Sequence, residues 1–296
     1  MSGADEPQRF AVQRDGLTIA GLDWGGDGPP LLYLHPNGFC AGFFHPLARR
    51  LTDTFRPVGV DLRAHGGSDE PPDPAGYAYR ELATDVLVAL DHLGLDEVHV
   101  VGQSLGGGVA VIIDELAPGR IRRALLCEPI AFGDELVADQ VAALGGEAGP
   151  GDGGNYMSQN ARKRRTVWPN REAVRESYAS RPPLEVLDPE ALDAYLRWGF
   201  VDRPDGEVEL ACRPEAEATL FESAGAAPGG PTAWAHLPDL RAHATIAAGT
   251  GTDLPVVWFQ RQADRADAHY LEVPGGHFFL QEDVAAGVAL VGDRLS

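Results

Sequence analysis

The stretch that decides the fold is VHVVGQSLGGGVAVII, at residues 98–113. A short apolar run leads into Gly-Gln-Ser-Leu-Gly, and a second apolar run with helical character follows it. This order predicts a strand, a sharp turn and a helix, the arrangement known as a nucleophile elbow. Because the backbone of such a turn is strained and closely packed, the residues two before and two after Ser104 must be small. Here they are Gly102 and Gly106.

The position of Ser104 indicates chemistry as well as structure. The helix behind it presents unpaired N–H groups and a partial positive charge, which stabilise an oxyanion. A serine hydroxyl is nevertheless a poor nucleophile at neutral pH, and it needs a nearby base that is oriented by an acid. The sequence therefore predicts Ser104 as a nucleophile and requires a histidine and a carboxylate elsewhere.

The best candidate for the base is His277, among nine histidines. It stands in VPGGHF, at residues 273–278, where two glycines after a strand make a turn that can present the imidazole at the sheet edge. It also comes late in the chain, as the base does in the order serine, acid, histidine. His35, which ends an early strand, is predicted to have a structural role and to shape its loop by hydrogen bonding.

Composition excludes several classes of function. The chain has 296 residues, is 44% hydrophobic and carries a formal net charge of −20, with a pI of about 4.7. No basic face is available to displace counterions from phosphates, so we expect no nucleic-acid partner. Neither a metal-binding motif nor a phosphate-binding glycine loop occurs, and we expect no cofactor. The sequence indicates no particular oligomeric state.

The cysteines and the chain start predict a cytoplasmic protein. Cys40, Cys127 and Cys212 are scattered, without CxxC spacing, as is typical of free thiols in a reducing compartment. The first residues are polar and acidic and do not resemble a signal peptide. No apolar run is long enough to cross a bilayer, so no membrane partner is expected.

The order of strand and helix signals predicts two domains. Signals alternate in residues 1–133 and again in 241–296, which we assign to one α/β core, with one of the helices at 44–53. Between them, residues 134–240 are rich in Gly, Pro, Arg and Glu and have few strand signals, and 145–154 has the composition of a linker. This middle segment is predicted to be an inserted cap, or lid.

The cap contains the basic run RKRR at residues 162–165. Such a run usually forms a solvated helix face that pairs with nearby glutamates, and we expect this here. The alternative is that it attracts an anionic end of a substrate.

Four motifs, in this order, resemble the α/β-hydrolase fold superfamily: HPNG at 35–38, DLRAHGGS at 61–68, the elbow at 102–106 and PGGHF at 274–278. The resemblance covers nearly the whole chain outside the insertion. It implies an α/β fold with a mostly parallel, eight-stranded sheet flanked by helices. It further implies a mainly helical cap between strands six and seven, and a Ser–His–acid triad.

The resemblance leaves two candidates for the acid. The family usually has an aspartate shortly after strand seven, and Asp253 is available there, one residue later than the common spacing. Some branches, including certain haloalkane dehalogenases, have their acid after strand six, where this chain has Glu128. A carboxylate that follows an apolar strand is partly desolvated and favours a charged partner. We favour Glu128, and Asp253 stays the alternative.

The same resemblance implies the oxyanion donors, which are the backbone N–H groups of Asn37 and Leu105. Pro36 replaces the glycine that is common in this loop, but it is not a proposed donor. The likeness to dehalogenases ends at the nucleophile, because those enzymes use an aspartate where this chain has Ser104. Dehalogenase and epoxide hydrolase chemistry are therefore excluded by the sequence reading.

The sequence thus predicts a serine hydrolase that cleaves an ester, lactone or thioester bond of a small organic molecule through an acyl-enzyme. Two alternatives stay open. An acyltransferase or cyclase would use the same triad and pass the acyl group to a nucleophile other than water. A binding protein without catalysis would hold a ligand under the lid of the same fold.

Overall fold

The core of the protein is an eight-stranded sheet, seen in a computed structural model that describes residues 6–133, 156–226 and 228–296. Its strands are β1 (Gln8–Arg14), β2 (Leu17–Asp23), β3 (Pro30–Leu34), β4 (Arg56–Val60), β5 (Val98–Gln103), β6 (Ile121–Cys127), β10 (His243–Gly249) and β11 (His269–Val273). They lie in the order β1-β2-β4-β3-β5-β6-β10-β11. Only the pairs β1–β2 and β2–β4 are antiparallel. This sheet confirms the predicted fold class.

Helices cover both faces of the sheet, and this explains why its central strands are apolar. Every residue of β5 is buried, and the apolar stripe of the helix before it packs on the core. The helices of the two core segments are α1 (His45–Ala48), α2 (Tyr79–His92), α3 (Leu105–Leu116), α9 (Val256–Arg265), α10 (Phe279–Glu282) and α11 (Val284–Leu295).

The helix predicted over residues 44–53 is wrong in length. The structure has a 3₁₀ turn at Ala41–Phe44 followed by the single-turn helix α1. Beyond α1, the N–H groups of Arg50 and Leu51 bond to carbonyls only three residues back, which tightens the chain into turns.

The middle of the chain is inserted between two neighbouring strands, because β6 and β10 pair in parallel. We call its described residues, 156–226 and 228–240, the insertion. It contains the helices α4 (Tyr156–Arg162), α5 (Arg171–Tyr178), α6 (Pro189–Trp198), α7 (Pro214–Ala224) and α8 (Gly230–His236). It also contains a small antiparallel sheet, which the sequence did not predict, of β7 (Val167–Trp168), β8 (Phe200–Asp202) and β9 (Val208–Leu210).

The predicted domain boundaries stay a prediction. The expected start of the cap at residue 134 and the linker-like stretch 145–154 lie outside the described residues. What the structure describes is mainly helical and lies over the edge of the sheet at which the parallel strands end.

Candidate active site

The elbow holds Ser104 in a strained conformation between β5 and α3. Its φ is 55° and its ψ is −118°, a region that residues other than glycine rarely adopt. A Cβ on Gly102 would lie 2.8 Å from the carbonyl O of Gly106, and one on Gly106 would lie 2.2 Å from that of Leu34. Both positions therefore require glycine, and together they hold the serine at the N-terminus of α3.

The base candidate, His277, lies on the loop after β11 and faces the same cavity as Ser104. The side-chain amide of Gln103, the residue before the serine, donates to the carbonyl O of His277 at 3.0 Å. The carboxylate of Glu282 accepts from the N–H groups of Gly276 at 2.8 Å and Phe278 at 3.2 Å. Gln103 and Glu282 thus fix the histidine loop, and sequence reasoning missed both because they belong to no motif.

Glu128, and not Asp253, contacts this histidine. The Oε2 of Glu128 lies 2.6 Å from Nδ1 of His277, and its side chain is fully buried. The same carboxylate accepts from the N–H of Gly249 at 2.8 Å and from the hydroxyl of Thr252 at 2.8 Å. Asp253 is exposed to solvent and makes no contact with the imidazole among the described residues. The carboxylate is therefore held by three partners, one of which is His277.

The two expected oxyanion donors lie on different elements, one within the elbow and one on another loop. Asn37 lies on the loop after β3, and Leu105 is the first residue of α3, where an N–H has no partner within the helix. Within the described part of the chain, neither backbone N–H donates a hydrogen bond to the protein. Their role as oxyanion donors stays a prediction.

Two buried histidines shape the loop that carries Asn37. His35 Nε2 accepts from the N–H of Leu62 at 2.9 Å, and His65 Nε2 accepts from that of Gly38 at 3.0 Å. Each ring must be unprotonated at Nε2 to do so. Burial lowers the pKa of His35 well below its ordinary value and that of His65 to about 4. These rings are neutral supports of the loop, as expected for His35.

A chain of polar contacts joins this loop to the insertion. The Asn37 side-chain amide donates to the carbonyl O of Glu217 on α7 at 2.8 Å. The Glu217 carboxylate pairs with Arg164, which donates to the Tyr195 hydroxyl at 2.8 Å. That hydroxyl donates to the carbonyl O of Gly38 at 2.9 Å. The insertion therefore holds the loop from both ends.

The basic run divides between two environments. Arg162 is exposed and pairs with Glu215 and Glu222 on α7, as predicted for a solvated face. The side chain of Arg164 is only 21% exposed to solvent. It lines the cavity, where it makes the contacts described above. The prediction of one solvated helix face is thus wrong for Arg164.

A cavity of about 850 Å³ lies between the sheet edge and the insertion. Its size is that of pockets that bind small organic ligands. Its floor contains Ser104, His277 and Asn37, and its roof contains residues from α4 to the loop before α6 together with Glu217 and Phe221 on α7. The other floor residues are Pro36, Phe39 and Phe278, and the roof includes Met157, Asn160, Ala161, Trp168, Ala173, Tyr178 and Leu184.

Among the described residues, no three histidine, cysteine, aspartate or glutamate side chains form a group that could hold a metal ion. The described helices also include none with the length and apolar character needed to cross a membrane.

Comparisons with known proteins agree with this geometry. Residues 29–280 match the family model for the alpha/beta hydrolase fold. The crystal structure of E-2-(acetamidomethylene)succinate hydrolase superposes with a TM-score of 0.80, at 19% identity, over 98% of this chain and 99% of that one.

Two curated relatives match parts of the chain. The dihydrolipoyllysine-residue acetyltransferase component of the acetoin cleaving system of Cupriavidus necator is 34% identical over 124 residues, which cover 41% of this chain and 32% of that protein. Epoxide hydrolase 2 of Siraitia grosvenorii is 33% identical over 100 residues, which cover 33% of this chain and 31% of that protein. The chain thus spans about a third of the length of each relative. On the match to the family model, the chain belongs to the alpha/beta hydrolase fold family.

Proposed function

We propose that this protein is a serine hydrolase that cleaves an ester, lactone or thioester bond of a small organic substrate. One observation carries the proposal: the imidazole of His277 is hydrogen-bonded to the buried Glu128 at 2.6 Å while it faces the same cavity as Ser104. A serine on an elbow that shares a cavity with a histidine oriented by a carboxylate fits the arrangement that activates a hydroxyl.

In the proposed reaction, the Oγ of Ser104 attacks the carbonyl carbon of the substrate, and its proton passes to Nε2 of His277. The negative charge moves to the carbonyl oxygen, which accepts from the N–H groups of Asn37 and Leu105. Each donor lowers the barrier by about 3 kcal/mol. Glu128 keeps the Nδ1 proton in place and stabilises the imidazolium.

The tetrahedral intermediate then collapses, and His277 protonates the leaving oxygen or sulfur as its bond to carbon breaks. Water attacks the acyl-enzyme with His277 again as base, and a second collapse returns the proton to Ser104 and releases the acid. Every proton in this cycle passes between groups of the chain, the substrate and water.

The identity of the nucleophile distinguishes the proposed reaction from epoxide hydrolysis, the activity named for one relative. Epoxide hydrolase chemistry in this fold uses an aspartate at the elbow, which forms an ester with the substrate. A serine hydroxyl forms an ester only with an acyl group. Ser104 therefore supports acyl chemistry here, although part of the chain matches an epoxide hydrolase.

A second candidate function is acyl transfer. It is favoured by the partial match to a protein named as an acetyltransferase component. Both functions share the acyl-enzyme and differ only in the nucleophile that releases it.

The three cysteines are buried free thiols, which supports the predicted cytoplasmic location.

Turnover of methyl and thiol esters by the wild type and Ser104→Ala tests the proposal. We expect the variant to lose about 10⁶-fold in kcat. Hydrolysis yields only the free acid when ethanol is added, whereas a transferase yields the ethyl ester. Wild-type turnover by Ser104→Ala would show that the mechanism is wrong.

A further inference from the structure

Three cations without an ion-pair partner among the described residues lie at the cavity. Most arginines of the described chain make an ion pair with a carboxylate, as in the surface pair of Arg80 and Glu115. Lys163, Arg165 and Arg181 line the roof of the cavity and make no ion pair within the described residues. In a chain with a net charge of −20, three such cations in one cavity wall indicate a negatively charged occupant.

The other charges of the lining leave this excess in place. Arg164 also lines the cavity, but Glu217 neutralises it. Among the described residues of the lining, the remaining carboxylate is that of Glu176, which is exposed on α5. Its single negative charge is outnumbered by the three unpaired cations.

Arg165 is held in a position suited to binding. Its guanidinium lies 4.4 Å from the centre of the Trp168 ring, and its Nε donates to the carbonyl O of Val167 at 2.7 Å. These contacts orient the group and leave its two terminal nitrogens without a carboxylate partner among the described residues. A guanidinium fixed in this way can bind a carboxylate through two parallel hydrogen bonds.

We propose that the cavity binds an ester-like substrate that carries a second group, a free carboxylate, which Lys163, Arg165 and Arg181 hold at the roof while the scissile carbonyl lies at Ser104. The inference rests on the proposed function and adds the substrate class to it.

The net charge of the protein makes local cations necessary for such a substrate. A strongly acidic surface repels anions, but salt screens exposed charges beyond about 8 Å. Within the cavity, the near cations therefore dominate over the distant carboxylates and raise the local concentration of an anion.

A matched ester series tests the proposal. Monomethyl esters of dicarboxylic acids from succinate to suberate are each compared with the methyl ester of the fatty acid of equal length, and proton release at constant pH is measured. We expect wild-type kcat/KM to be at least about tenfold higher for the acidic ester at the best length. The variant K163Q/R165Q/R181Q should reduce this ratio to about two or below.

A second triple variant distinguishes the effect of the cavity cations from the effect of the protein's net charge. Arg9, Arg123 and Arg241 lie away from the cavity and also make no ion pair within the described residues. The variant R9Q/R123Q/R241Q removes the same charge and should keep the ratio within about twofold of wild type. Equal loss in both variants, or no preference for the acidic ester in the wild type, would overturn the proposal. If the cavity variant does not fold, the single variants K163Q and R181Q should each lower the ratio in part.

Binding distinguishes failure of this inference from failure of the proposed function. In Ser104→Ala, calorimetry compares suberate with octanoate, which differ by the second carboxylate. Tighter binding of suberate by about tenfold, lost on adding the three cavity substitutions, supports the cation site even if no ester is hydrolysed. Equal affinity for the two acids contradicts it even if the hydrolase activity is found.

Discussion

The floor and the roof of the cavity are built on opposite principles. Directly beneath the floor, Glu128 is fully buried and His35 and His65 are neutral and hydrogen-bonded to backbone. The roof has exposed cations, and Lys163 and Arg181 have no carboxylate partner among the described residues. The groups beneath the floor are therefore held in one well-determined geometry, whereas the roof has cations without an ion-pair partner among the described residues. On the two proposals above, the reaction belongs to the floor and the choice of substrate to the roof.

After the loss of Ser104 itself, the largest expected effect separates the two acid candidates. Glu128→Gln keeps the side-chain shape but removes the charge that holds His277, and kcat should fall by about 10⁴-fold. Asp253→Asn makes the same chemical change on an exposed loop and should alter kcat by less than about twofold. Steady-state kinetics on one ester measures both.

Circular dichroism and thermal melting of the two amide variants provide the control for folding. Equal losses of kcat in both variants, or a greater loss in Asp253→Asn, would mean that the contact between Glu128 and His277 does not serve the reaction.

The second prediction is that the stability of the fold beneath the floor depends on pH through two buried groups. Burial lowers the pKa of His65 from 6.5 to about 4, so its contribution to stability is present above pH 6.5 and is lost as pH falls toward 4. Burial raises the pKa of Asp61 from 3.8 to about 6, which acts in the opposite sense, because its neutral form is favoured as pH falls through this range. Each group contributes about 3 kcal/mol across its interval.

Urea unfolding at pH 7 and pH 4 measures these contributions against matched variants. His65→Gln should remove the loss on acidification, so that the stability difference from wild type shrinks by about 3 kcal/mol at the lower pH. Asp61→Asn should change the difference in the opposite direction. A stability difference between His65→Gln and wild type that is the same at both pH values would show that the ring does not resist protonation.

The smallest predicted effect concerns the join between roof and floor. Arg164→Gln breaks the link from Glu217 through Tyr195 to the loop of Asn37, and we expect kcat for a neutral ester to fall about tenfold with little change in KM. The neighbouring Arg162→Gln removes an exposed pair with the same helix and should have no such effect. Kinetics of the two variants decides whether Arg164 positions the oxyanion loop; equal kcat values would contradict that role.

Much of the floor was predictable because its signals are local. The elbow needs glycine two residues on either side of Ser104, and the steric reason is visible within five residues of sequence. The choice between Glu128 and Asp253 was not local, since Glu128 and His277 are 149 residues apart and meet only through strand order. Gln103 and Glu282, which fix the histidine loop, left no distinctive pattern.

The roof was less predictable, because residues of the same type lie in different environments there. Arg162 and Arg164 stand two positions apart in one basic run, yet one pairs at the surface and the other reaches the cavity. The charge of the two residues does not determine this difference. It results from the packing of α4 against α7. The small sheet of β7, β8 and β9 was missed since its strands have only two or three residues.

The central claim is that Ser104 is a nucleophile activated by His277. Reaction with a fluorophosphonate, followed by mass spectrometry of the digested protein, tests it most directly. The account predicts one adduct, on Ser104, which is absent in Ser104→Ala and forms much more slowly in His277→Gln. An unlabelled protein, or an adduct on another residue with Ser104 unmodified, would contradict it.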